Sequence, residues 1–358
     1  MKTKKLLPGS TIGIIGGGQL AYYMAIEAKN MGYKVSVYDP NPDASAGSIA
    51  NHTIKDFDDV DALIEFAQSC DVLTYEFENM NLENIEILDK DFNLPQGSKM
   101  LLHTAHRYEE IKMAQSLGIP TVRSVYLKDA NSDRSELSNL RLPLIAKTCR
   151  FGYDGKGQQK LNEVTDLVIS DETLVSEFIS FEKEVSVIIV RSEFGVYGYP
   201  CIENVHKEGI LYTSTTLDKD AYPLAKEYAE RIAIEMNYIG VMAVEFFVHN
   251  DELIFNEVAP RPHNSGHLTL TVSNKSQFKS HIEAICGLNP GALFHYEDAT
   301  MLNVLGQNFL KARTLIGTPN TYHYEYGKTE IVHNRKMGHI VFTQNTKEIE
   351  NYKRELNT

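Results

Sequence analysis

Apolar and polar positions alternate in blocks along this chain, and the blocks change period. Thr11 to Ile15 is a short apolar run that reads as a buried strand, and three glycines, Gly16, Gly17 and Gly18, follow it. From Gln19 to Met31 the spacing is helical, with Leu20, Met24 and Ala28 on one face and Gly32 as the stop. Lys34 to Tyr38 predicts a second strand, Asp39 to Pro42 a loop, Asp56 to Ser69 a helix, and Val72 to Phe77 a strand that delivers Glu76 and Glu78. This strand–helix–strand rhythm predicts a parallel sheet. Its ligands should gather at the carboxyl ends of the strands, where the glycines, Asp39 and Glu76 fall.

The pattern changes near residue 104. His106 to Leu117 predicts a helix closed by Gly118 and Pro120, followed by a polar loop from Ala130 to Asn139. Strand-like runs come next at Leu144 to Lys147, Leu174 to Phe178 and Val185 to Val190, then a long helix from Tyr222 to Met236. Ala243 to Val248 and Leu253 to Val258 predict a hairpin across a His-Asn-Asp-Glu turn. The last segment holds a polar run from Gly317 to Arg335, a short strand from His339 to Phe342, and a charged tail after Asn345. The organisation predicted is an N-terminal parallel α/β unit over residues 1–103, a central α+β unit over 104–290 and a small β-rich C-terminal unit over 291–358.

Bulk properties narrow the function classes. A chain of 358 residues is long enough for two or three cores. Its net charge of -13 argues against a surface that wraps nucleic acid or anionic lipid. Cys70, Cys149, Cys201 and Cys286 are scattered without a Cys-x-x-Cys pair, which predicts reduced thiols rather than zinc. Lys2, Lys4 and Lys5 imitate the start of a signal peptide, but Pro8 and Gly9 end the apolar run after two leucines, and no stretch approaches a membrane span. A cytoplasmic protein is expected.

The chemistry concentrates in two places. Lys147 ends an apolar run, and Gly152, Gly155 and Gly157 follow at once. Glycines let backbone approach phosphates and let a loop close as a lid carrying Tyr153, Asp154 and Lys156. About a hundred residues on, Glu245 and the pair Asn256-Glu257 lie on the two strands of the predicted hairpin. A three-residue turn sets Glu245 opposite Glu257, and a two-residue turn sets it opposite Asn256. Like charges across a sheet are unfavourable unless a cation lies between them, and oxygen-only ligands select Mg2+ over zinc. A lysine, a glycine loop and paired carboxylates together predict a nucleoside triphosphate site. A second signal, Gly16-x-Gly18-x-x-Ala21 with Asp39 beyond it, fits a dinucleotide fingerprint and keeps an NAD-dependent oxidoreductase as an alternative. The third consecutive glycine and Gln19 are not demanded by a dinucleotide.

Taken together these residues resemble the ATP-grasp superfamily from about Arg107 to Gly287. Within it they resemble the 5-(carboxyamino)imidazole ribonucleotide synthetases of purine biosynthesis. The resemblance rests on Gly16-Gly17-Gly18-Gln19-Leu20, Tyr75-Glu76-Phe77-Glu78-Asn79, Arg150 to Gln158, Asn256 to His267, and Arg335-Lys336-Met337-Gly338-His339. It implies an ATP-grasp architecture with a preceding Rossmann-like domain, and an ATP-, Mg2+- and bicarbonate-dependent ligase acting on aminoimidazole ribonucleotide, expected as a homodimer. For ATP it implies Arg107, Lys147 and the loop Gly152, Tyr153, Asp154, Gly155, Lys156, Gly157 and Gln158 at the phosphates. Ser176, Glu177, Phe178 and Ile179 fall at the adenine, Glu184 at the ribose, and His206 and Asn256 nearby. Glu245 and Glu257 become the metal ligands, because Ala259 stands where many ATP-grasp enzymes place a third. Ser176 stands where relatives often carry Glu. For the ribonucleotide and bicarbonate it implies Gly17, Gly18, Gln19, Leu20, Glu76, Asn79, Arg261, Asn264, Ser265, Lys328, Arg335 and Lys336. The catalytic set is Tyr153, Asp154, Arg261, His263 and Lys328, with Arg261 holding bicarbonate. A formate-dependent glycinamide ribonucleotide transformylase shares Ala259-Pro260-Arg261-Pro262-His263 and is the nearest enzyme alternative.

Overall fold

The computed structural model describes residues 4–78, 80–150, 152, 157–169 and 171–343. The expectations placed on Asn79, on Tyr153, Asp154, Gly155 and Lys156, and on the tail after Asn345 lie outside the described residues.

A four-stranded parallel sheet opens the chain, in the order β3-β2-β1-β4. It is built from β1 (Thr11–Ile15), β2 (Lys34–Tyr38), β3 (Asn51–Thr53) and β4 (Val72–Tyr75). Helix α1 (Gln19–Asn30) follows the glycines and buries Leu20, Met24 and Ala28 as its spacing predicts. Helix α2 (Val60–Gln68) starts four residues later than expected, because Asp59 caps it by accepting from Ala62 N–H. Strand β4 stops at Tyr75, two residues early, so Glu76 and Glu78 sit in the turn beyond the sheet. The short strand β3 and the helices α3 (Leu82–Asp91) and α4 (Lys99–Thr104) were not read from the pattern.

After α5 (Arg107–Ser116), a small antiparallel sheet in the order β5-β8-β6-β7 carries the lysine and its loop. Its strands are β5 (Ser124–Leu127), β6 (Leu144–Thr148), β7 (Gln158–Leu161) and β8 (Thr173–Glu177). A larger antiparallel sheet begins with β9 (Lys183–Ser192), β10 (Gly195–Gly198), β11 (Ile202–Lys207) and β12 (Ile210–Thr216). It continues, after α6 (Pro223–Glu235), with the hairpin β13 (Gly240–His249) and β14 (Glu252–Ala259). Short α7 (Thr269–Val272) and α8 (Gln277–Ile285) lead to β15 (Ala299–Leu305), α9 (Phe309–Arg313), β16 (Thr321–Glu325) and β17 (Lys336–Thr343). Strand β16 lies within the polar run from Gly317 to Arg335. Strand β15 pairs with β12, so the last segment extends the same sheet.

Packing binds these layers together. Helix α8 inserts Phe278, Ile282 and Ile285 into the core that holds Ile12, Leu20 and Met24. The large sheet packs Val187, Ile189, Val244 and Phe246 against α5 and α6. One cavity therefore opens where the carboxyl end of the parallel sheet meets both antiparallel sheets.

Candidate functional site

The hairpin β13–β14 turns through Asn250 and Asp251, both with positive φ (51° and 63°), the geometry of a two-residue hairpin turn. That register holds as far as Phe246 opposite Phe255 and on its own sets Asn256 opposite Glu245. A bulge intervenes, and Glu245 pairs with Glu257 instead. Its cause lies on the far edge of β14. Phe255 N–H donates to Pro120 O at 2.8 Å and Val258 N–H to Glu110 Oε1 at 2.7 Å. Residues three apart cannot both face outward in a regular strand, so the strand takes in one extra residue, Asn256.

The two facing carboxylates have different partners. Glu257 Oε2 lies 3.2 Å from Arg107 Nη2. Burial raises the Glu257 pKa, but Arg107 and Lys147 overcome it and hold the carboxyl below its usual range. Glu245 Oε1 is buried without a hydrogen-bond partner, 3.7 Å from His263 Nε2. Burial, then Glu257 and Glu184, push its pKa well up. Glu184 Oε2 lies 3.0 Å from His206 Nδ1, and Glu184, His206 and Glu245 offer one ligand atom each within 4.8 Å of one another. Two carboxylates and one imidazole nitrogen so close together fit a divalent cation, which would relieve the repulsion that pushes the Glu245 pKa up. His206, read as a nucleotide neighbour, stands inside that group.

Lys147 lies one residue before the end of β6 and is half-buried; burial, then Arg107, lower its pKa to about 8. The base of its glycine loop is tight. Thr148 N–H donates to Gly157 O at 2.9 Å, and Gly157 has φ of 74° with Thr148 Oγ1 2.5 Å from where a Cβ would sit. Only glycine fits there.

On the opposite wall the glycine turn is occupied by protein carboxylates. Gly17 N–H donates to Asp39 Oδ2 and Gly18 N–H to Glu76 Oε1, each at 2.7 Å. Gln19 Oε1 accepts from Lys328 Nζ at 3.0 Å, joining α1 to the last segment. Burial, then Arg335, lower the Lys328 pKa to about 8. Arg261 Nε meets Glu78 Oε1 at 2.7 Å. His263 Nδ1 accepts from Ser265 N–H at 3.3 Å, which leaves the ring proton on Nε2; burial, then Arg261 and Lys336, keep the ring neutral.

A single cavity of about 700 Å³ collects both walls. Arg107, Lys147, Gly152, Gly157, Gln158, Glu184, His206, Glu245, Asn256 and Glu257 line one end. Gly18, Gln19, Leu20, Glu76, Arg261, His263, Asn264, Lys328 and Lys336 line the other. Several expected residues do not line it. Gly17 faces Asp39 and Ala44. Ser265 is buried, its hydroxyl 2.8 Å from Ser186 Oγ. Arg335 lies outside and donates to Glu330 O at 3.3 Å. Ser176, Glu177, Phe178 and Ile179 also lie outside the lining. The Glu177 carboxylate is drawn toward Arg123 and Arg141, and Phe178 lies under Lys160 Nζ at 4.3 Å. Apolar wall comes instead from Ile145, Phe181, Leu211 and Phe247, with Phe181 stacked on Phe247 at 4.5 Å.

Sequence reasoning missed Glu78 and Glu110. Both carboxylates belong to the lining, Glu78 half-buried and Glu110 buried; burial pushes Glu110 up to about 8 against the pull of Arg107. Glu78 stood beside Glu76 in the sequence as a signal. Nothing local distinguishes Glu110 from Glu109 beside it.

Family models match nearly end to end: a ribonucleotide synthetase preATP-grasp domain over 9–106, an ATP-grasp domain over 112–278, and a phosphoribosylaminoimidazole carboxylase C-terminal domain over 299–351. The N5-carboxyaminoimidazole ribonucleotide synthase of Bacillus subtilis (strain 168) is 40% identical across 96% of this chain and 93% of its own. Among solved structures, the Staphylococcus aureus N5-carboxyaminoimidazole synthetase complexed with ADP superposes with a TM-score of 0.93 at 34% identity, covering 99% of both chains. The Aspergillus clavatus synthase in complex with ADP and 5-aminoimidazole ribonucleotide gives 0.87 at 25% identity, covering 98% of both. The chain belongs to the N5-carboxyaminoimidazole ribonucleotide synthase family of ATP-grasp ligases.

Proposed function

We propose that this chain carboxylates the exocyclic amine of 5-aminoimidazole ribonucleotide, consuming ATP and bicarbonate and releasing ADP and phosphate. The observation that carries the reading is one cavity with two differently charged ends. Lys147, Arg107 and the carboxylates suit a triphosphate and its cation, and Gln19, Glu76, Arg261, Lys328 and Lys336 suit a phosphorylated ribonucleotide. An NAD site is disfavoured, since Asp39 and Glu76 already hold the amides that a pyrophosphate would need.

Bicarbonate is a poor electrophile. An oxygen of bicarbonate attacks the γ-phosphorus of ATP, the bond from that phosphorus to the β,γ-bridging oxygen breaks, and ADP departs with that oxygen as carboxyphosphate forms. Lys147 and Arg107 offset the charge on the transferring group. Mg2+, when bound, would neutralise the phosphate oxygens; Glu245 and Glu257 would hold it with Asn256 alongside, as the unpartnered Glu245 Oε1 supports. Carboxyphosphate is short-lived in water, so residues 152–158 would exclude water, with Tyr153 and Asp154 meeting substrate. It breaks down to carbon dioxide and phosphate beside the amine; nitrogen attacks carbon, and the amine proton passes to phosphate. Arg261, its Nε held by Glu78, would steady the carboxyl oxygens. His263 is a neutral donor through Nε2 here, which suits orienting an oxygen rather than removing a proton.

Residues 1–103 and 291–358, together with the Arg261–Asn264 segment, would hold the ribonucleotide, and the rest of 104–290 the nucleotide. Among the described residues no helix is long and apolar enough to cross a membrane. The family resemblance leads to a homodimer, which sedimentation would test. ADP formation measured with bicarbonate and each ribonucleotide in turn tests the reading: 5-aminoimidazole ribonucleotide should stimulate it, and glycinamide ribonucleotide with formate should not.

A further inference from the structure

A buried polar relay runs behind the ribonucleotide wall, and none of its members lines the cavity. Val241 N–H donates to His281 Nδ1 at 3.0 Å, so the neutral ring carries its proton on Nε2. That nitrogen lies 2.7 Å from Thr74 Oγ1, to which it must donate. Thr74 in turn donates to Gln96 Oε1 at 2.5 Å, where Tyr75 N–H also donates at 2.9 Å. The polarity of the Gln96 carboxamide is thereby fixed. Its NH2 group donates to Pro260 O at 3.0 Å and to Tyr238 Oη at 3.1 Å, and reaches Tyr75 O at 3.3 Å.

This one amide bonds to the backbone of both halves of one subsite, Tyr75 through its N–H and O and Pro260 through its O. Tyr75 precedes Glu76 and the turn that carries Glu78. Pro260 precedes Arg261, and the Arg261 guanidinium closes the gap by meeting Glu78 at 2.7 Å. Gly240 leaves room for the relay: its φ is 135°, and a Cβ there would fall 2.9 Å from His281 Cε1 and 3.4 Å from Gln96 Cγ. Gln96 and His281 are almost completely buried, and the Gln96 amide makes bonds through both of its polar atoms. A satisfied, directional network of this kind fixes one arrangement of the segments it joins.

We propose that Gln96 is a positioning residue for carboxylation, holding the Arg261 segment in register with the Glu76–Glu78 turn. This rests on the functional reading above. Gln96 touches no substrate; it acts through Pro260 and Tyr75, and Thr74 and His281 set which way its amide points.

Gln96→Met keeps the volume and removes both polar atoms. Thr74→Val removes the hydroxyl that orients the amide, and Thr74→Ser keeps it. Steady-state kinetics would be run on each with ATP, bicarbonate and 5-aminoimidazole ribonucleotide, counting ADP formed per carbamate formed. In Gln96→Met and Thr74→Val, the KM for the ribonucleotide should rise about 5- to 20-fold while the KM for ATP stays within about twofold. ADP should also exceed carbamate, because bicarbonate would be activated beside a misplaced acceptor. Thr74→Ser should restore both values. Folded variants with unchanged ribonucleotide KM and coupling would overturn the proposal. So would equal rises in both KM values, or a Thr74→Ser enzyme as impaired as Thr74→Val. Failure of both Gln96→Met and Thr74→Val to fold would make the relay part of the fold alone and overturn it as well. Wild-type ADP formation indifferent to the ribonucleotide would overturn the functional reading itself, and the positioning role with it.

Discussion

Glu245 and Glu257 face each other across the hairpin, yet only Glu257 has a cationic partner, Arg107 at 3.2 Å. The asymmetry divides the work between them. Arg107 holds the Glu257 carboxyl below its usual range, whereas burial pushes Glu245 well up, so Glu245 would become a full ligand only when a cation arrives.

Glu257→Gln removes one negative ligand and leaves the half-buried Arg107 beside a neutral amide. The Mg2+ concentration for half-maximal rate should rise by roughly tenfold or more, equivalent to about 1.4 kcal/mol, with the fold intact. A Mg2+ titration of the variant checks this; wild-type turnover at limiting Mg2+ contradicts it.

Lys147→Met keeps the apolar stem and removes a charge whose burial is costly, as its lowered pKa of about 8 indicates. ATP affinity should weaken by roughly 1.5–3 kcal/mol, the range for a hydrogen bond to a charged group. The melting temperature without nucleotide should hold or rise. A large fall in melting temperature with unchanged ATP affinity would make Lys147 structural.

Much of this was legible in the chain. Helical spacing from Gln19 to Met31 and the turn residues at 249–252 gave α1 and the hairpin because both signals are local. The bulge at Asn256 was not legible, because its cause is Glu110 and Pro120, more than a hundred residues earlier. The same holds for Gln96, whose partners Thr74, Tyr238 and Pro260 come from separate segments. The glycine turn was read as a ligand cradle, and the structure fills two of its amides with Asp39 and Glu76.

That finding reshapes what Gly17 should do. A Cβ at Gly17 would fall 2.7 Å from Ala44 Cβ and 2.9 Å from Asp39 Cβ. Gly17→Ala should therefore cost about 1–3 kcal/mol of stability from overpacking. By disturbing the turn that sets Gln19, it should raise the KM for the ribonucleotide more than that for ATP. Denaturant unfolding and steady-state kinetics check the two parts.

Lys328 gives the expected pH dependence. Its folded pKa is lowered from 10.5 to about 8, so the charged form that an anionic substrate needs is lost above pH 8 in the free enzyme. The value of kcat/KM for the ribonucleotide should fall about tenfold per pH unit beyond that point. Stability moves the other way: burying charged Lys328 is unfavourable below pH 8, and that penalty fades between pH 8 and 10.5. Lys328→Met should weaken ribonucleotide binding and abolish the Lys328 contribution to both trends. A ribonucleotide profile unaltered by the substitution contradicts the assignment.

The central claim is tested most directly by following ¹³C-labelled bicarbonate by NMR while ADP is counted. With ATP, Mg2+ and 5-aminoimidazole ribonucleotide together, label should enter a carbamate carbon on the exocyclic nitrogen, one for each ADP formed, and omission of any component should stop it. ADP formation without a labelled carbamate, or label bound to ring carbon instead of nitrogen, would contradict the account.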